Sequence, residues 1–115
     1  MSAKSGGGRS STELIDDILA EAQADYLGLW WILRKVDQYR PELSGRERQE
    51  FTLRLLEDLL RDTRLVAGDV QQTDPEFIPR AGEPAEIIRQ VRVAWDDLRG
   101  EPDLGDVVWF AAPDR

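Results

Sequence analysis

The chain has 115 residues, 41% hydrophobic and 33% charged, with four Trp, three Phe and two Tyr, a globular composition whose size suits one domain that buries about two-thirds of its unfolded surface. Cys and His are both absent, which excludes thiol nucleophiles, disulfides, Ser-His and Cys-His dyads, and every zinc site that needs imidazole or thiolate. The formal charge is −8, which favours solubility and opposes approach to nucleic acid and anionic lipid at long range.

Residues 1–10 carry Lys4, Arg9 and a Gly6-Gly7-Gly8 run where a signal peptide would need an apolar core, so they read as a flexible N-terminal arm. No stretch approaches the 18 or more apolar residues of a membrane span, and the simplest expectation is a cytoplasmic protein without a membrane partner. Thirteen of the fifteen bases are Arg and Asn is absent, a bias that fits a GC-rich bacterial genome. Segment 11–33 carries −5 and 65–86 carries −4, whereas 34–64 carries +1. The middle third is therefore the only folded part that is not acidic.

Ser10-Ser11-Thr12-Glu13 fits a capping box, and Leu14, Ile15, Ile18, Leu19 and Ala22 follow at helical spacing, so a helix is expected over 11–24. Tyr26 to Leu33 is apolar nearly all round. It reads either as a short strand at Tyr26–Leu29 running into a helix from Trp30 to Tyr39, or as a single helix from Leu27; Gly28 and the aromatic density favour the strand. Pro41 stops that helix, and Ser44-Gly45-Arg46-Glu47 is a second capping box opening a helix over 46–64 with Phe51, Leu55, Leu56, Leu59 and Leu60 on one face. Leu65–Val70 and Glu76–Pro79, separated by the polar loop Gln71–Pro75, read as a hairpin. Pro84 opens a fourth helix with Ile87, Ile88, Val91, Ala94, Trp95 and Leu98 inward, ended by Gly100 and Pro102. The apolar tail Leu104–Phe110 is expected to pack back as a further strand.

The fold expected is mainly α with a small β-hairpin (α+β): a winged-helix-like single domain over 11–115 with an appended C-terminal helix and strand. Its core is expected to hold Leu14, Ile18, Leu33, Phe51, Leu55, Leu56, Leu59, Ile88, Val91, Trp95 and Trp109.

A winged helix would make helix 46–64 a DNA-recognition helix and Gln71–Asp74 the wing tip. The charges oppose this, because Glu50 and Arg54, Glu57 and Arg61, and Arg54 and Asp58 are each four residues apart and neutralise one another. Only Arg46, Arg48 and Arg64 read as free for phosphates, and the wing offers Asp69 and Asp74 in place of bases. DNA binding is thus the alternative reading, with Lys4 and Arg9 as further contacts. The doublets Asp16-Asp17 and Asp96-Asp97 do not aim two carboxylates at one point, since adjacent helical side chains diverge by about 100°. Residues 97–103 lack the spacing of a calcium loop. No catalytic residue, metal ligand or cofactor is expected.

Trp30 and Trp31 cannot both face one core centre. The plainest reading places all four Trp in the core; the sharper one makes Trp31, rimmed by Asp16, Asp17, Glu21, Asp69 and Asp74, a patch for a basic protein partner. With Leu65–Asp69, Trp95 and Leu104-Gly105-Asp106-Val107-Val108-Trp109 in view, the chain resembles a family of small uncharacterised bacterial proteins. The shared pattern is an amphipathic helix, a Trp-bearing second element, a Glu/Arg-rich third helix, a strand ending near Gly-Asp, and a late Gly-Asp-hydrophobic-x-Trp segment. The resemblance spans roughly residues 12–110; it implies a winged-helix-like domain and carries no catalytic residues. Small acidic proteins of this kind also resemble immunity proteins, which block a cognate toxin. The function expected is a non-enzymatic acidic interaction module, an immunity-type or regulatory adaptor acting as monomer or homodimer.

Overall fold

The computed structural model describes residues 11–70, 76–98, 100, 102 and 107–113. The N-terminal arm, the cap at Ser10, the wing tip Gln71–Asp74 and the Leu104–Asp106 part of the late motif lie outside the described residues. The elements are α1 (Ser11–Ala24), β1 (Leu27–Gly28), α2 (Leu29–Tyr39), α3 (Gly45–Arg61), β2 (Val66–Val70), β3 (Phe77–Pro79), α4 (Pro84–Asp96) and β4 (Trp109–Ala111). The fold is α+β, and the strand-then-helix reading of Tyr26–Tyr39 is the one observed.

Apolar spacing places the helices. Leu14, Ile18 and Ala22 recur every four residues and are buried along α1, while Leu29, Ile32, Leu33, Val36 and Tyr39 line the inner arc of α2. Gly28 is required by packing, since a Cβ there would come within 2.7 Å of the Trp30 indole. At α3 the expected capping box is incomplete. Ser44 is the N-cap residue, yet its side chain makes no cap bond, and Gly45 enters the helix in the left-handed region at φ 55. The helix ends at Arg61 rather than 64, where Thr63 turns left-handed at φ 56 and its N–H donates to the Leu60 carbonyl at 3.0 Å.

The sheet has the order β1-β4-β2-β3 with every pair antiparallel. The hairpin β2–β3 forms as expected, with Asp69 opposite Ile78. The C-terminal strand, however, is not an appendage. It lies between β1 and β2, with Phe110 opposite Leu27 on one side and Ala67 on the other. Val108 and Phe110 project to the helix side and are buried, so by strand alternation Trp109 falls on the opposite face and is only partly buried.

Trp109 is therefore not the core residue expected from sequence, and Phe51 is only partly buried, packed against the edge of the core. The inward arc of α3 runs through Gln49, Thr52, Leu53, Leu56, Leu59 and Leu60, which leaves Phe51 at its edge beneath the Arg40 guanidinium, 5.1 Å from the ring centroid. The remaining expected core residues are buried. Phe110→Ala, at 0% exposure in the central strand, is expected to cost about 3–5 kcal/mol of stability in urea unfolding. A loss below about 0.5 kcal/mol would contradict the central placement of β4.

Candidate functional site on the outer face of helix α2

The residues singled out from sequence separate into groups. Asp16 is exposed on α1. Asp17 is not free: it accepts a hydrogen bond from the Tyr39 phenol and lies 3.8 Å from Lys35 Nζ, tying α1 to α2. Asp69 accepts two hydrogen bonds from Arg80, at 3.2 and 3.0 Å, and Arg80 also donates to the Val107 carbonyl at 2.7 Å. Asp74 lies outside the described residues. Of the described acidic candidates, Asp17 and Asp69 are thus taken up in joining the fold's own elements, which leaves Asp16 and Glu21.

The nucleic-acid candidates also divide. Arg48 is not free, since its guanidinium holds Asp37 with two bonds at 2.8 and 3.0 Å. Arg46 and Arg64 are exposed and, among the described residues, carry no ion pair. Of the four-residue pairs expected along α3, Arg61 with Glu57 forms, whereas Glu50 turns away from Arg54 to Arg92 of α4. Arg54 is left exposed and, among the described residues, without an ion pair. The Arg92 hydrogen bond holds the Glu50 carboxyl below its ordinary pKa and raises that of Arg92.

Glu21 and Trp31 do come together. They line a groove of about 500 Å³ with Trp30, Arg34, Lys35 and Gln38. Because Leu29, Ile32, Leu33 and Val36 take the inner arc of α2, the helical period sets both adjacent Trp on its flank, where both are half-buried and Trp31 packs against the edge of the core. Each is covered by a cation four residues on: Arg34 lies 5.7 Å from the Trp30 ring centroid and Lys35 5.5 Å from that of Trp31. Lys35 also donates to Gln38 Oε1 at 3.4 Å. Trp30 Nε1 is enclosed against Gly28 and has no hydrogen-bond partner among the described residues. The rim around Trp31 is thus of mixed charge rather than acidic. The sequence carries this signal in the spacing Trp30-Trp31-x-x-Arg34-Lys35, which no acidic cluster marks.

A second cavity of about 410 Å³ sits between the start of α3 and the end of α4, lined by Arg46, Arg48, Gln49, Trp95 and Asp96. Within it Gln49 Nε2 donates to Asp96 at 2.9 Å, while Arg48 is held by Asp37. Among the described residues, no three Asp or Glu side chains stand together as metal ligands, and no helix is long and apolar enough to cross a membrane. No family model, curated protein or solved structure matches the chain.

The Glu50–Arg92 pair makes a pH prediction. Glu50 titrates lower in the folded state, so its contribution is present above the unfolded pKa of roughly 4.3 and is lost as pH falls through the folded value. Urea unfolding of wild type and Glu50→Gln is expected to show a gap in favour of wild type at about pH 7 that closes near pH 3. An equal gap at both values would remove the pair from the acid response.

Proposed function

We propose that the chain is a non-enzymatic protein-interaction module, working in the bacterial cytoplasm as an immunity-type or regulatory adaptor, with the outer face of α2 as its docking surface. One observation carries this reading: two adjacent, half-buried Trp side chains line a surface groove beside an Arg without a carboxylate partner among the described residues. Trp and Arg are the residue types that dominate binding energy at protein interfaces, because each combines large apolar contact with a polar handle. The groove offers Arg34 and Lys35 against Glu21, so the partner it fits presents both signs of charge.

The test is a photo-crosslinking amino acid placed at Gln38, which lines the groove, or at Gln90, exposed on α4, in cells that produce the protein. A discrete protein adduct from position 38 and none from position 90 is the expected outcome. Adducts from both positions alike, or from neither, would overturn the assignment of α2.

A second reading, a winged-helix regulator that uses α3 on DNA, is favoured by the exposed Arg46, Arg54 and Arg64 without ion pairs among the described residues. Glu47, Glu50, Glu57 and Asp58 lie on the same helix and oppose it. Anisotropy titration of mixed duplex DNA is expected to show no saturable binding at about 50 mM salt. Binding that falls steeply by about 200 mM, and weakens in Arg54→Ala, would make this reading the primary one.

A further inference from the structure

We propose that the groove on α2 is filled by a second copy of this chain, docked about a two-fold axis that passes through the groove. The inference rests on α2 being the docking surface and names its occupant. Glu21 contributes to the groove from α1 and Arg34 from α2, with Trp30 and Trp31 completing it. Neither charge has an ion pair among the described residues, and the two do not pair with each other. Lys35 already has Asp17, and Asp37 already has Arg48. The groove is therefore left with one unspent carboxylate and one unspent guanidinium beside an aromatic centre.

Charge complementarity then selects the occupant. An acidic segment would satisfy Arg34 but bring carboxylates against Glu21. A basic segment would satisfy Glu21 but meet the unpaired guanidinium of Arg34. A second copy satisfies both in one docking event, because in a two-fold interface residue i meets residue j and j meets i. Glu21 of each copy meets Arg34 of the other, and the indoles fill the middle, where aromatic anchors exclude water from the ion pairs.

The expected affinity follows from size and charge. An eleven-residue helix is only about 16 Å long, less than the roughly 800 Å² per partner of a standard interface requires. Two bodies of −8 also repel, although at about 150 mM salt the screening length is near 8 Å. The dimer is accordingly weak, concentration-dependent and best seen with salt present.

Sedimentation equilibrium from about 20 to 400 µM at 150 mM salt tests it. Wild type is expected to associate reversibly. Glu21→Arg sets two positive pairs across the axis and Arg34→Glu two negative pairs, so each variant alone is expected to associate at least roughly tenfold more weakly. Their equimolar mixture is expected to regain wild-type association, since each copy then presents the charge the other lacks. Damage to the fold of either variant cannot produce that recovery, and far-UV circular dichroism of each checks folding directly. A wild type that stays monomeric, a dimer indifferent to both variants, or a mixture that fails to recover each overturns the second copy as occupant. If the wild type is monomeric while position 38 still captures a different protein, the docking reading survives and only its occupant is wrong; if position 38 captures nothing, both fail.

Discussion

The structure depends on one strand, Trp109–Ala111, lying between β1 and β2. β1 is two residues long and has no other ladder, so without β4 the start of α2 loses its anchor to the sheet. The Leu29 N–H at the first turn of α2 donates to the Val108 carbonyl at 3.2 Å, which satisfies a helix-end donor from outside the helix. On the other side, among the described residues, the hairpin joins the rest of the sheet only through β4. The entry to that strand is strained, since Val107 sits at φ 70, a conformation costing a β-branched residue about 1–3 kcal/mol. Arg80 holds it there, bonding the Val107 carbonyl and Asp69 with one guanidinium. One side chain thus links the hairpin to the strand that closes the sheet.

The same economy explains the surface. A charge of −8 suggests an acidic coat, yet several acids act as ties to other parts of the fold: Asp17 to Tyr39, Asp37 to Arg48, Asp69 to Arg80 and Glu50 to Arg92. Exposed pairs of this kind are individually worth about 0–1 kcal/mol. Their effect lies less in total stability than in orientation, because each joins two elements whose apolar faces alone would allow some sliding. Where the ties are complete, the surface has little left to offer a ligand. The groove on α2 differs in that Glu21 and Arg34 are not among the ties.

How much of this was legible in the sequence depends on the range of the interaction. The four helices and the hairpin follow from spacing within each segment, and their bounds were readable to within a few residues: Leu14, Ile18 and Ala22 already describe a helix face. The central place of β4 was not readable, because Val108 and Phe110 show only that the tail packs, not which strands it enters between. The α3 charges failed for the same reason. The four-residue rule pairs Glu50 with Arg54 on one helix, but α4 brings Arg92 to Glu50 with two hydrogen bonds, and a local rule has no term for that competitor. Phe51 and Trp109 were misjudged because apolar identity does not specify which side of an arc or pleat a residue takes.

The two tryptophans of α2 bring these strands of reasoning together. Helical period sets them on the flank once Leu29, Ile32, Leu33 and Val36 have taken the inner arc. In the isolated chain their cost to solubility is limited by Arg34 and Lys35, whose side chains lie over the rings. Such contacts are worth about 0.5–1 kcal/mol at exposed sites, enough to cover an indole in water and too little to lock it against a better partner. Lys35 is held a second time, by Asp17 and Gln38, and so remains with its own chain. Among the described residues, Arg34 has only Trp30 beneath it. Of the two cations it is the one that can exchange a ring for a carboxylate without breaking an existing ion pair, and that places the responsive half of the groove at Trp30 and Arg34, not at Trp31.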